Sequence, residues 1–493
     1  MRLDDIIYVV CLVGCIAAGK IIRKVPYESQ RKLLCTALGL LLVFAVSKLH
    51  CLHCFFTVAL GAAALKLVHP SKCHVFTFCI IFGYLGFFRL GYFVGFPQPP
   101  DLTNMIQMIL TLKVVGIAFE KTTSWKKLEK RKWQIAKIQD GSWVDATSGK
   151  PLIEINEYDI ELQNIGFWEL FHYSFNYIGV LTGPYYRYRT YRDYFETPFK
   201  EYAEYVSLTK EKFKKACFYG GLYLIANYFW PLQYMLSDEF YEQRSCFYRL
   251  MYIWPTFFIF RMRMYAGLTL SECVCTMAGF GSYPDEADVS NCEGPKKTQY
   301  MHLKRDVNTR KYNFTTIVNM RVKNVETSIT FREAMRHWNI CVQYWMAVNV
   351  YKRFPIKKYR TAATLLCSAF WHGFYPGHYF CIIGAAFYVP VEDMWNKLVR
   401  LESTGTKRKI INALFWLFAF FGYGYLCTAF MLGSFHNIWK FYSSVYHIGY
   451  GAWVFMLVLG FSLTQLKASR LKPIRIETAL GQQSGDSSKT KSE

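Results

Sequence analysis

Long apolar runs recur along the 493-residue chain and limit what it can fold into. Several approach the roughly 17–25 residues that an α-helix needs to cross a bilayer. The runs cover residues 6–22, 33–47, 51–68, 74–97, 104–119, 215–236 and 247–270, a run ending near 390, and residues 410–432 and 438–466. We therefore predict an all-α, polytopic membrane protein of about ten or eleven transmembrane helices.

Composition agrees with a membrane body and argues against a nucleic-acid binder. Hydrophobic residues make up 53% of the chain and charged residues only 19%. The net charge is +23, and the basic residues lie mainly between the apolar runs, as in the loops of membrane proteins. We predict a membrane domain over residues 1–466, a disordered cytosolic tail over residues 467–493, and no nucleic-acid partner.

Cysteines and two intramembrane charges have simple structural explanations. Cys51 with Cys54, and Cys273 with Cys275, have the local spacing of metal ligands but lack a second pair. We predict buried free thiols and no metal site. Arg89 and Lys113 lie inside apolar runs, and we expect them to snorkel or to find an internal partner rather than to bind substrate.

Two polar residues in apolar surroundings, Asn339 and His372, each follow a tryptophan. A polar side chain at membrane depth must be hydrogen-bonded or used. A neutral histidine can take a proton from a hydroxyl group, and an asparagine amide can donate to an oxyanion. No G-x-S-x-G motif supplies a serine nucleophile, so direct attack of a substrate hydroxyl on a thioester is the simplest chemistry. A hydrogen-bonded structural histidine is the alternative.

Arginines beside aromatic residues form two further candidate sites. Arg187 and Arg189 follow a Gly-Pro turn in L-T-G-P-Y-Y-R-Y-R-T-Y, and Arg261 and Arg263 lie in F-R-M-R-M-Y. Guanidinium groups offer forked donors that suit a phosphate. A belt of arginine and tyrosine at the membrane interface would give the same pattern.

These motifs resemble the membrane-bound O-acyltransferase family. R-x-W-N, an apolar run and F-W-H-G-F-Y-P-G-H-Y carry the resemblance to the family. The two arginine motifs, A-G-F-G-S-Y-P and V-Q-Y-W-M-A-V-N-V-Y-K are similar to the branch that reacylates lysophosphatidylinositol. The similarity extends over about residues 1–466.

The resemblance implies helices around a catalytic chamber, with His372 as the general base and Asn339 as its positioning or polarising partner. It implies that the chamber for acyl-CoA and lipid is lined by Trp338, Gln343, Trp345, Lys352, Ser368 and Trp371. Because of their charge and clustering, the candidates for inositol-phosphate recognition are Arg187, Arg189, Arg261 and Arg263.

The expected reaction transfers a polyunsaturated acyl group from acyl-CoA, a co-substrate, to the sn-2 hydroxyl of lysophosphatidylinositol; no cofactor is implied. A serine or choline head group is the alternative within the enzyme class, and a lipid transporter is the alternative outside it. The last five residues, K-T-K-S-E, resemble a K-x-K-x-x retrieval signal, which predicts the endoplasmic-reticulum membrane.

Overall fold

A computed structural model of the chain describes residues 3–139, 152–296, 298–304 and 306–486. Helices dominate these residues, and the chain packs as two compact units. The first unit comprises Met1–Phe229, Phe258–Lys323 and Arg336–Phe374. The second comprises Trp230–Phe257, Asn324–Met335 and Tyr375–Glu493.

The first unit begins with long helices and continues with shorter ones. Its helices are α1 (Leu3–Ile22), α2 (Glu28–Ser47), α3 (Cys51–Leu67), α4 (Cys73–Leu90), α5 (Asp101–Gln139), α6 (Glu157–Glu161), α7 (Phe167–Ser174), α8 (Tyr188–Glu196), α9 (Phe199–Tyr202) and α10 (Tyr205–Phe229).

The remaining helices belong to the second unit and to the later segments of the first unit. In chain order these are α11 (Asp238–Glu242), α12 (Cys246–Met251), α13 (Ile253–Ala278), α14 (Val322–Thr327), α15 (Phe331–Arg336), α16 (Ile340–Met346), α17 (Arg360–His372), α18 (Pro376–Trp395), α19 (Gly405–Leu432), α20 (Phe435–Ser444) and α21 (Ile448–Asp486). Helices α16 and α17, which follow Asn339 and contain His372, belong to the first unit.

Short strands interrupt the helices between α13 and α14. β1 (Tyr283–Pro284) pairs antiparallel with β4 (Tyr312–Asn313), and β2 (Val289–Ser290) pairs antiparallel with β3 (Gly294–Pro295). The described fold is therefore mostly helical, with two small strand pairs.

Helix α5 is the buried centre of the first unit. Between Leu102 and Ser124 nearly every residue is buried, and α3 and α4 pack against it. The Lys113 ammonium, fully buried, donates to the Tyr173 carbonyl at 3.1 Å and to the Tyr186 hydroxyl at 2.9 Å. A buried ammonium requires acceptors, and these two tie α5 to the segment that contains the Gly-Pro turn. The predicted internal partner of Lys113 is confirmed.

Six helical segments of the described chain are long and apolar enough to cross a membrane. They are Asp4–Ile22, Glu28–Leu67, Cys73–Val94, Asp101–Gln139, Gly405–Leu432 and Ile448–Ser469. The total of ten or eleven spans stays a prediction.

Two helices extend beyond the apolar runs that predict them. Helix α5 continues through the basic segment after residue 119 as far as Gln139. Helix α21 continues to Asp486, into the tail expected to be disordered. The retrieval-like residues 489–493 lie outside the described chain.

Candidate active site

Asn339 occupies a left-handed backbone position immediately before helix α16, with φ 45° and ψ 52°. Asparagine enters this region more readily than most residues because its short amide can hydrogen-bond locally. The Asn339 carbonyl accepts the amide hydrogen of Gln343 at 3.1 Å, which starts the helix. The direction of the Asn339 side chain is therefore set by a turn that few other residues would adopt.

Asn319 holds the start of α16 in place. Its main-chain carbonyl accepts from the Ile340 amide at 2.8 Å, and its side-chain oxygen accepts from the Cys341 amide at 3.1 Å. The first amide groups of a helix have no partner within the helix, so these bonds satisfy two of them. The contacts fix the segment that Asn339 precedes.

Glu272 in turn fixes Asn319. One carboxylate oxygen accepts from the Asn319 amide at 2.7 Å and from the Met320 amide at 3.2 Å, and the other pairs with Lys212. Glu272 is buried, with 3% of its surface exposed. Sequence reasoning gave this residue no role, although a lone acidic residue in an apolar helix is a usable signal.

A disulfide bond joins Cys292 to Cys341, two residues after Asn339. It links α16 to the segment that contains the short strands. Sequence reasoning missed it because pairing cannot be deduced from spacing alone. The predicted buried free thiols are confirmed at Cys51, Cys54, Cys273 and Cys275.

Trp338 and Gln343, two of the predicted chamber residues, lie beside Asn339 in the chain. The Trp338 ring is buried against the rings of Phe260, 6.0 Å away, and Tyr265, 5.7 Å away, both on α13. The Gln343 side-chain amide donates to the Trp338 carbonyl. The F-R-M-R-M-Y motif therefore packs directly against the residue that precedes Asn339.

Trp345 attaches α16, which follows Asn339, to helix α5, and Trp371 attaches α17, which contains His372, to the same helix. The Trp345 indole N–H donates to the Leu112 carbonyl at 2.9 Å, and the Trp371 indole N–H donates to the Met108 carbonyl at 3.0 Å. Both indole rings are buried. Met108 and Leu112 are about one turn apart on α5, so α16 and α17 are attached to neighbouring positions of one helix.

His372 is the last residue of α17, and Gly373 ends the helix with φ 146°, a conformation that favours glycine. The imidazole is half-buried, and its ring centroid is 4.8 Å from that of Trp371.

Of the remaining predicted chamber residues, Ser368 is half-buried on α17, and Lys352, which follows the π-helical turn Ala347–Tyr351, is exposed.

Two of the candidate arginines already have a carboxylate partner. Arg187 lies 3.2 Å from a carboxylate oxygen of Glu120, which is buried on α5. Arg263 is exposed on α13 and lies 2.6 Å from a carboxylate oxygen of Asp5. A phosphate at either position would share the guanidinium with that carboxylate or displace it.

The other two arginines lie against aromatic rings. The Arg189 guanidinium is 4.6 Å from the centre of the Tyr300 ring, and the Tyr300 hydroxyl donates to Asp193 at 2.6 Å. Burial raises the pKa of Asp193, and the positive charge of Arg189 opposes that rise. Arg261 is buried on α13, 5.8 Å from the Phe258 ring centre.

Residues 90–432, which include Asn339 and His372, match the membrane-bound O-acyltransferase family. The chain belongs to this family. It is therefore a multi-pass membrane protein and an acyltransferase, and the resemblance seen in its motifs is confirmed.

Named relatives in this family are similar over nearly their whole length. The membrane-bound acylglycerophosphatidylinositol O-acyltransferase frj of Drosophila melanogaster is 63% identical over 95% of this chain and 94% of the relative. The proteins named membrane-bound acylglycerophosphatidylinositol O-acyltransferase mboat7 in Xenopus laevis and MBOAT7 in Homo sapiens are each 30% identical, over 98% and 97% of this chain and 99% and 98% of the relatives.

Proposed function

We propose that this membrane-bound O-acyltransferase moves a polyunsaturated acyl group from acyl-CoA to the sn-2 hydroxyl of lysophosphatidylinositol. The observation that carries the proposal is the 63% identity over 95% of the chain to a relative named as an acylglycerophosphatidylinositol O-acyltransferase. The arrangement around Asn339 and His372 supports it, because both segments are anchored on one buried helix.

In the proposed reaction His372 accepts the proton of the lysolipid hydroxyl as its oxygen attacks the thioester carbonyl. The Asn339 amide donates to the oxygen on which negative charge develops. The carbon–sulfur bond then breaks, and the departing thiolate of CoA takes the proton back from His372. The step forms one ester, releases one free thiol and returns both side chains to their starting state.

Trp338, Gln343, Trp345, Lys352, Ser368 and Trp371 are our proposed lining of the acyl-CoA and lipid chamber. Arg187, Arg189, Arg261 and Arg263 are our proposed contacts to the inositol phosphate. We further propose about ten or eleven spans and residence in the endoplasmic-reticulum membrane.

The test is an assay of purified protein with one acyl-CoA and a panel of lysophospholipids that differ only in head group. We expect turnover on the inositol lipid to exceed turnover on the serine and choline lipids. Similar turnover on every head group would remove the inositol assignment. Lipid translocation by a wild-type protein that acylates none of them would favour the transporter.

The catalytic assignment has its own matched pair of variants. His372→Ala should fold and lose turnover, whereas His378→Ala, which removes the other histidine of the F-W-H-G-F-Y-P-G-H-Y motif, should keep it. Product formation by a folded His372→Ala protein would show that another group is the base.

A further inference from the structure

Arg89, in the last turn of α4, donates to the end of the helix that contains His372. One guanidinium nitrogen donates to the Phe370 carbonyl at 2.8 Å and the other to the Trp371 carbonyl at 2.7 Å. The Nε–H group donates to the side-chain oxygen of Asn104 at 2.9 Å. Arg89 therefore binds the two main-chain carbonyls that directly precede His372.

These carbonyls are among the groups that a helix leaves without a partner at its carboxyl end. The preceding carbonyl, that of Ala369, accepts from the Gly373 amide at 3.1 Å. The helix ends at His372 and Gly373 follows it, so the carbonyls of Phe370 and Trp371 depend on donors from outside the helix. A fixed positive charge at this end is also attracted to the partial negative charge at the carboxyl end of the helix dipole, which stabilises the helix.

One face of α4 is shaped for this contact. Phe82, Gly86 and Arg89 are spaced i, i+4 and i+7, which places them on the same side of a helix. The Phe82 ring centroid is 6.1 Å from that of Phe370, and a Cβ atom added at Gly86 would lie 3.2 Å from the Phe370 ring. The small residue lets α4 approach α17 closely enough for the guanidinium to reach both carbonyls.

We propose that Arg89 is a positioning residue for acyl transfer: it fixes the final turn of α17 and thereby the direction in which the His372 imidazole points. The proposal rests on the proposed role of His372 as the base. It requires a guanidinium rather than any cation, because three acceptors in different directions need the planar fork. Asn104 orients that fork from the first turn of α5.

The test compares Arg89→Gln and Arg89→Lys with wild type, with kcat and both KM values expressed per folded enzyme. We expect Arg89→Gln to lower kcat by roughly tenfold to a hundredfold, the size of effect that a small misplacement of a reacting group produces. The KM values for acyl-CoA and lysophosphatidylinositol should stay within about twofold of wild type, because uniform binding is not lost. Arg89→Lys should fall between the two, since lysine keeps the charge but not the fork.

Arg31 provides a matched control. Its two guanidinium nitrogens also donate to main-chain carbonyls, those of Val25 at 3.0 Å and Phe195 at 3.2 Å. Arg31→Gln should lower the midpoint of thermal unfolding and leave kcat per folded enzyme unchanged. An equal loss of kcat in Arg31→Gln and Arg89→Gln would reduce Arg89 to a structural residue and overturn the proposal.

A double variant separates positioning from general stability. If Arg89 acts through His372, adding Arg89→Gln to His372→Ala should not lower the residual rate further, because no imidazole remains to be positioned. A further tenfold loss would overturn the proposal, as would a rise in either KM at unchanged kcat, which would make Arg89 a binding residue.

The remaining outcomes separate the role of His372 from that of Arg89. A folded His372→Ala protein with full turnover would refute the role of the histidine itself, whereas an inactive His372→Ala protein beside a fully active Arg89→Gln protein would refute only the Arg89 proposal. Should Arg89→Gln not fold, Asn104→Ala provides the same comparison: kcat should fall at unchanged KM, and wild-type kcat would overturn the proposal.

Discussion

Substitutions at Asn339 can separate what its backbone does from what its amide does. The residue holds a left-handed conformation, with φ 45° and ψ 52°. Glycine enters that region without strain, whereas alanine pays about 1–2 kcal/mol. The alanine variant regains about 0.4–1 kcal/mol of stability, because an unfolded chain with alanine at this position has less conformational entropy to lose than one with glycine. The net expectation is that Asn339→Gly has a free energy of unfolding about 0.5–1 kcal/mol above that of Asn339→Ala.

Catalysis should rank these variants differently from stability. Neither glycine nor alanine can donate to an oxyanion, so both should lower kcat by about 10²–10³-fold, the usual cost of one such donor. Asn339→Asp keeps the size of the side chain and also tolerates a left-handed backbone, but it lacks the amide hydrogens and should lose a similar factor. The assays are thermal unfolding in detergent and turnover at saturating acyl-CoA and lysophosphatidylinositol.

Two results would refute this reasoning. Turnover of Asn339→Gly within about tenfold of wild type would show that the reaction needs the turn and not the amide. Equal stability of the glycine and alanine variants would show that the backbone at this position is not held in the left-handed region.

Three further predictions concern the supports of the site. Gly86→Leu should lower both the unfolding midpoint and turnover because a side chain there meets the ring on α17, whereas Gly83→Leu, which points into open space, should change neither; equal effects of the two would contradict the packing. Glu272→Gln should cost about 1–3 kcal/mol of unfolding free energy, measured in the same detergent, because a buried acceptor of two main-chain amides is weakened. Arg187→Ala and Arg263→Ala should raise the KM for lysophosphatidylinositol more than that for acyl-CoA; unchanged KM values would assign both arginines to their carboxylate partners.

The sequence was sufficient for the membrane class, the family and the segments that contain Asn339 and His372. Apolar runs report directly on burial in lipid, and the tryptophan-flanked polar residues stand out against them. The positions of Trp338 and Gln343 beside Asn339 follow from their closeness in the chain, since residues within a helical turn must be neighbours.

Long-range partners could not be predicted from the sequence. Arg89 meets the Trp371 carbonyl across 282 residues, and Arg263 meets Asp5 across 258. A local pattern shows that a charge is buried but not which distant group satisfies it. The extent of α5 was missed because its basic half is polar and mostly outside the core, so hydropathy does not report the helix there.

The hydrogen bonds from the Trp345 and Trp371 indoles to α5 fix the spacing between α16 and α17 at their points of attachment. The distance between the Met108 and Leu112 carbonyls is set by the helical rise, about 1.5 Å per residue, and no loop can alter it. Lengthening the exposed connection at residues 355–359 would leave both attachments intact. Inserting one residue into α5 between Met108 and Leu112 would turn one carbonyl by about 100° relative to the other and detach one tryptophan. Changes in chain length can therefore accumulate freely in the connecting loop, while the interval within α5 is fixed.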